Sequence, residues 1–174
     1  YKDLAVIFSF YVGNEYGLFP IVPITNEVRD KIGISRNELT VLAYYNTKSL
    51  FSYSIKPFCS NKCLSKAKRL SLGEDLDSIP IYVLSSEFNR FGSVFLLYPN
   101  ILHEIANTLA KDFYIIPASI NELFIVPSVV DVDIDLVLEM HNKSKFNYGD
   151  GDYLSSNVYY FDSSCNEIIL ERLI

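Results

Sequence analysis

Residues 112–127 read Asp-Phe-Tyr-Ile-Ile-Pro-Ala-Ser-Ile-Asn-Glu-Leu-Phe-Ile-Val-Pro, two apolar runs joined by a short polar hinge. Each run is rich in β-branched and aromatic residues, ends at a proline and is too short for a good helix, so each reads as a strand. The pair is expected at the centre of a sheet. Its hinge puts Ser119, Asn121 and Glu122 at the tip, where polar side chains can meet solvent, a ligand or a partner. Ser and Asn are also the residues a tight turn demands, because they bond their own backbone.

The rest of the chain repeats this pairing. Asp3 to Val12 and Leu18 to Ile24 form a hairpin about the turn Gly13–Gly17, its return strand marked as an edge by Pro20 and Pro23. Thr25 or Asn26 caps a short helix that Gly33 stops, and Ser35-Arg36-Asn37-Glu38 is a capping box opening a second helix to about Thr47. Leu39, Leu42, Ala43 and Asn46 fall on one face of that helix. From Ser49 to Ile79 the pattern weakens into an irregular connection. Strands are expected at Ile81–Leu84 and Ser93–Tyr98, a helix from Pro99-Asn100 to Lys111 with Ile101, Leu102, Ile105 and Leu109 on its buried stripe, and a short helix at Val132–Asn142. A last hairpin spans Val158–Phe161 and Glu167–Leu170. Sequential strand pairs with three to five inserted helices make an α+β fold with a mostly antiparallel sheet.

At 174 residues the chain suits a single domain. Aromatic content of 14%, with 13 Tyr and 12 Phe, argues against disorder. Mean hydropathy is +0.17, yet the longest apolar run, Leu4 to Val12, is far short of the ~20 residues that span a bilayer. A soluble protein with no membrane association is expected. A net charge of −6 is the wrong sign for gripping phosphate backbones, so nucleic acid is disfavoured as a partner. Three cysteines give no even disulfide framework, which fits a reducing, cytoplasmic setting. A first residue of Tyr1 with no signal-peptide pattern reads as a fragment of a longer polypeptide.

Several segments resemble one bacterial family common in clostridia, catalogued as domain of unknown function 5688. They are Ile24-Thr25-Asn26-Glu27, the Gly33-Ile34-Ser35-x-x-Glu38-Leu39 box, Asn46-Thr47, Tyr82-Val83-Leu84-Ser85, Leu97-Tyr98-Pro99, Asn157 to Asp162 and, most specifically, Ile116 to Leu123. The resemblance skips mainly Ser52 to Ser78. It implies that residues normally precede Tyr1, and it implies no activity. Members often carry Ser-Ile-His-Glu at the tip where this chain has Ser119-Ile120-Asn121-Glu122. A histidine there could act as base or ligand; Asn121 can do neither at neutral pH.

Other candidates have plain structural readings. Cys59 and Cys63 lack a second ligand pair at zinc spacing, and no metal or cofactor is expected. His103, in a helix's first turn, and His141, near a helix end, have no nucleophile in a strand-to-helix elbow, and Gly-x-Ser-x-Gly is absent. Asp131-Val132-Asp133-Ile134-Asp135 fails as a calcium loop at Leu136 and Asn142. Lys56, Lys62, Lys66, Lys68 and Arg69 form a basic patch that is ordinarily a solvated face. The leading expectation is a non-catalytic binding or regulatory domain whose partner is another protein. The rival is a metal-dependent hydrolase using Asp131, Asp133, Asp150 or Asp152.

Overall fold

The computed structural model describes residues 2–13, 20–58, 80–128 and 154–171. They fall into two compact units, Asp3–Ser52 and Tyr53–Ile174, with Lys2 grouped in the second. The expected helix at Val132–Asn142 and most of the irregular stretch before Ile79 lie outside the described residues.

In the first unit, β1 (Ser9–Tyr11) pairs antiparallel with β2 (Ile21–Pro23), Phe10 opposite Val22. The hairpin is real but shorter than its apolar content suggests. Two helices follow, α1 (Asn26–Ile32) and α2 (Arg36–Leu50). Thr25 Oγ1 accepts the Val28 N–H at 3.2 Å, satisfying one of the free amides at the start of α1. Gly33 ends it at φ 70°, a left-handed conformation that a Cβ would strain. The capping box forms as the sequence dictates: Ser35 Oγ accepts the Glu38 N–H at 3.2 Å and Glu38 Oε2 accepts the Ser35 N–H at 2.9 Å. Those donors hold the Glu38 carboxyl below its ordinary range, the Ser35 hydrogen bonds being the cause.

The second unit is built on a six-stranded antiparallel sheet. Its strands are β3 (Tyr53–Pro57), β4 (Tyr82–Ser86), β5 (Phe113–Ile116), β6 (Leu123–Pro127), β7 (Val158–Asp162) and β8 (Glu167–Glu171), in the order β3-β4-β6-β5-β7-β8. The pair β5–β6 thus occupies the two middle places, as its two apolar runs require. Alternation along the strands sends side chains to opposite faces. Phe113, Ile115, Ile125, Tyr159 and Phe161 share one face through the registers Ile115↔Ile125, Ile115↔Tyr159 and Phe113↔Phe161, and all are buried. Ile116, Phe124, Val126 and Val158 build a core on the other, with Ile81 and Ala118. A strand buried on both faces reads as an unbroken apolar run rather than an alternating one, which is what 113–116 and 123–127 show.

Helix α3 (Pro99–Leu109) opens on a proline, whose fixed φ suits a first turn. Of the expected stripe Ile101, Leu102 and Ile105 are buried, but Leu109 in the last turn is only half-buried and Ala106 takes the fourth buried place.

Two segments of this unit differ in secondary structure from the expectation. Ser93–Tyr98 is not a strand: Gly92–Leu97 is a 3-10 helix, with Phe95 and Leu96 buried. Its start is tied down by the β5–β6 turn, for the N–H groups of Gly92 and Ser93 donate to the carbonyls of Asn121 and Ile120. Those amides therefore serve the turn instead of a strand ladder. The stretch after Ser49 is not wholly irregular either, since Tyr53–Pro57 forms the edge strand β3. Pro57 and Lys56 are residues that edge positions tolerate. Among the described residues no helix is long and apolar enough to cross a membrane.

Candidate functional site

At the tip of β5–β6 the polar residues bond the backbone around them. Ser119 is 1% exposed, and its Oγ accepts the N–H groups of Asn121 at 3.1 Å and Glu122 at 3.2 Å. The Ser119 N–H closes the turn on the Glu122 carbonyl at 3.1 Å. The turn then docks onto the segment after β4. The Asn121 carbonyl accepts from the Ser85 hydroxyl at 2.6 Å and the Gly92 N–H at 3.0 Å, and Asn121 Oδ1 accepts the Phe91 N–H at 3.3 Å. The Ser93 hydroxyl donates to the Ile120 carbonyl at 2.9 Å. Asn121 and Glu122 are half-buried. Gly92 is required by this approach, because a Cβ on it would lie 2.5 Å from the Asn121 carbonyl oxygen.

A second polar cluster lies at the other end of the same strands. Asp112, just ahead of β5, receives on Oδ1 the Ser163 hydroxyl at 2.6 Å and the Ser163 N–H at 3.0 Å, and on Oδ2 the Tyr160 hydroxyl at 3.3 Å. The Ser163 hydroxyl and N–H hold the Asp112 carboxyl below the ordinary range, and Tyr160 adds to the effect. Burial raises the Tyr160 hydroxyl, and the Asp112 charge raises it further against an opposing Ser128 hydroxyl bond. An open cleft of about 550 Å³ lies over this cluster, lined in part by Asn107, Lys111, Asp112, Ser128, Tyr160 and Ser163. No local motif in the sequence marks these residues as a cluster. Asp112 and Ser163 are 51 positions apart, and only the β5–β7 pairing brings them together.

His103 is half-buried on α3, and among the described residues its Nδ1 has no hydrogen-bond partner. Among the described residues no carboxylate orients it as the general base of a nucleophile–His–Asp arrangement would require. Among the described residues no group of three or more His, Cys, Asp or Glu side chains is placed to hold a metal ion. Asp131, Asp133, Asp150, Asp152, Cys59, Cys63 and His141 lie outside the described residues.

The remaining surface feature belongs to the first unit. Of fourteen exposed large hydrophobic side chains among the described residues, twelve lie between Val6 and Leu50. The cross-strand partners Phe10 and Val22 are 43% and 52% exposed, and on α2 Val41, Leu42 and Tyr45 are 54%, 49% and 67% exposed. Of the stripe expected on α2, only Leu39 is buried.

No curated protein and no solved structure matches the chain. A family model does match, over residues 1–163, and its description is Family of unknown function (DUF5688). With all but the last eleven residues covered, the chain belongs to that family.

Proposed function

We propose that the chain is a non-catalytic binding domain that acts in the cytoplasm on another protein, with the first unit carrying the recognition surface. The observation behind this reading is the concentration of exposed large apolar side chains between Val6 and Leu50. Singly exposed apolar residues are ordinary. Clustered ones, including a cross-strand pair and a helical i, i+1, i+4 set, leave apolar area in water that association with a partner would remove, and such clusters mark interaction sites. Tyr44 and Tyr45 add rings that suit interface cores. Asn121 and Glu122, half-buried at the tip, offer the second unit's polar contribution to binding.

The test compares the tagged chain with a Val41→Asp, Leu42→Asp variant, both recovered from the producing organism. Both positions are exposed, so the variant keeps its fold, which circular dichroism checks. A protein that co-purifies in fixed ratio with the unaltered chain and is lost from the variant supports the reading. Identical co-purifying sets overturn it, as does a purely self-associating chain in light scattering.

A further inference from the structure

We propose that the cleft over Asp112 binds a small zwitterion, a molecule of free amino-acid type carrying a primary ammonium group and a carboxylate. The argument starts from the fixed anion. Asp112 is held by three donors, two on Oδ1 and one long bond from Tyr160 on Oδ2. A carboxylate oxygen has two lone-pair directions, so Oδ2 keeps acceptor capacity. Lys111 lines the same cleft, yet among the described residues neither Lys111 nor Asp112 has an ion-pair partner within 4.0 Å. The cleft therefore offers one anion and one cation that do not neutralise each other.

The backbone reinforces the anionic side. Helix α3 ends at the cleft, with Ala110 in a left-handed conformation closing its last turn. A helix C-terminus carries partial negative charge and favours a cation nearby. An ammonium group has three donors and no acceptor, which suits Asp112 Oδ2 and the hydroxyl oxygens of Ser128 and Tyr160. A carboxylate on the same molecule meets the exposed Lys111 and the Asn107 amide. A volume of about 550 Å³ is within the range of small-molecule sites, and the site is ready-made because Asp112 is already oriented. This inference is independent of the apolar surface on the first unit.

The experiment uses the full chain labelled with 15N and titrated with single amino acids, with ethylamine and acetate as one-charge controls. The expected result is saturable shifts at the amides of Lys111, Asp112, Phe113 and Ser163 with at least one amino acid, and weaker binding of both controls. Asp112→Asn, which retains an acceptor for Ser163, is expected to weaken binding about tenfold or more, the loss of a charged hydrogen bond. Lys111→Met, at an exposed position, is expected to remove the preference for the amino acid over ethylamine. Absence of saturable shifts with every amino acid overturns the proposal. So does binding that Lys111→Met leaves unchanged, a readout that stands even if Asp112→Asn fails to fold.

Discussion

Replacing Gly92 by alanine adds one methyl group where the β5–β6 turn presses on the end of β4. A Cβ there lies 2.5 Å from the Asn121 carbonyl oxygen, 2.7 Å from the Ser85 Cα and 2.8 Å from the Leu84 carbonyl oxygen. All three are backbone atoms, so no side-chain rotation relieves the overlap; the strand or the turn must move. Overpacking of this kind costs about 1–3 kcal/mol. Movement also stretches the Gly92 N–H bond to the Asn121 carbonyl and the Ser85 hydroxyl bond to the same oxygen, each contributing about 1 kcal/mol. The expected loss is about 3–5 kcal/mol, with a fall in Tm of about 6–20 °C for a chain of this length. Urea unfolding followed by far-ultraviolet circular dichroism measures it. Ser93→Ala is the control: it removes only the 2.9 Å hydroxyl bond to the Ile120 carbonyl and should lose about 1 kcal/mol. If Gly92→Ala unfolds within about 0.5 kcal/mol of the unaltered chain at an unchanged m-value, the turn does not dock as described.

Three further outcomes follow from the same structure. Leu102→Ala, at a side chain with 0% exposure on α3, is expected to cost about 2–5 kcal/mol in urea unfolding. Ser35→Ala removes the N-cap of α2 and should cost about 1 kcal/mol, read as lost helical signal in thermal melts. Asp112 gives a pH dependence. Its folded pKa is depressed, so its contribution is fully present above the ordinary Asp value of about 3.9 and is lost as pH falls through the folded pKa. Ser163→Ala moves that pKa back toward the ordinary value. The stability gap between the two chains should therefore be widest near neutral pH and close in acid, measured by urea midpoints across that range.

Legibility in the sequence followed the range of the interaction responsible. The Ser35–Glu38 box, the Pro99 start of α3 and the strand pair 113–127 rest on neighbours within a few residues, and each formed where expected. The run Ser93-Val94-Phe95-Leu96-Leu97 is too short for periodicity to separate strand from helix. Its 3-10 form was decided by a contact to Asn121, 29 residues after Gly92. Likewise β3 has, among the described residues, one sheet neighbour, β4, which lies beyond residues that carry no strand pattern. On α2 the apolar stripe was visible, but nothing local told that Leu42 would stay exposed. The tip residues stand out in the sequence by their chemistry; their bonds to Ser85, Phe91 and Gly92 belong to the fold and have no signature in spacing. Asp112 is silent in the sequence because a lone carboxylate before a strand has no signature until Ser163 and Tyr160 lie beside it.

Whether recognition belongs to the first unit is decided by site-specific photo-cross-linking in the producing organism. A photoreactive residue replaces Leu42 in one chain and Ile169 in another, two exposed apolar positions in different units. The expected result is a reproducible adduct to a different protein from position 42, and none from position 169. An adduct from position 169 alone, or only self-adducts from position 42, would place recognition elsewhere.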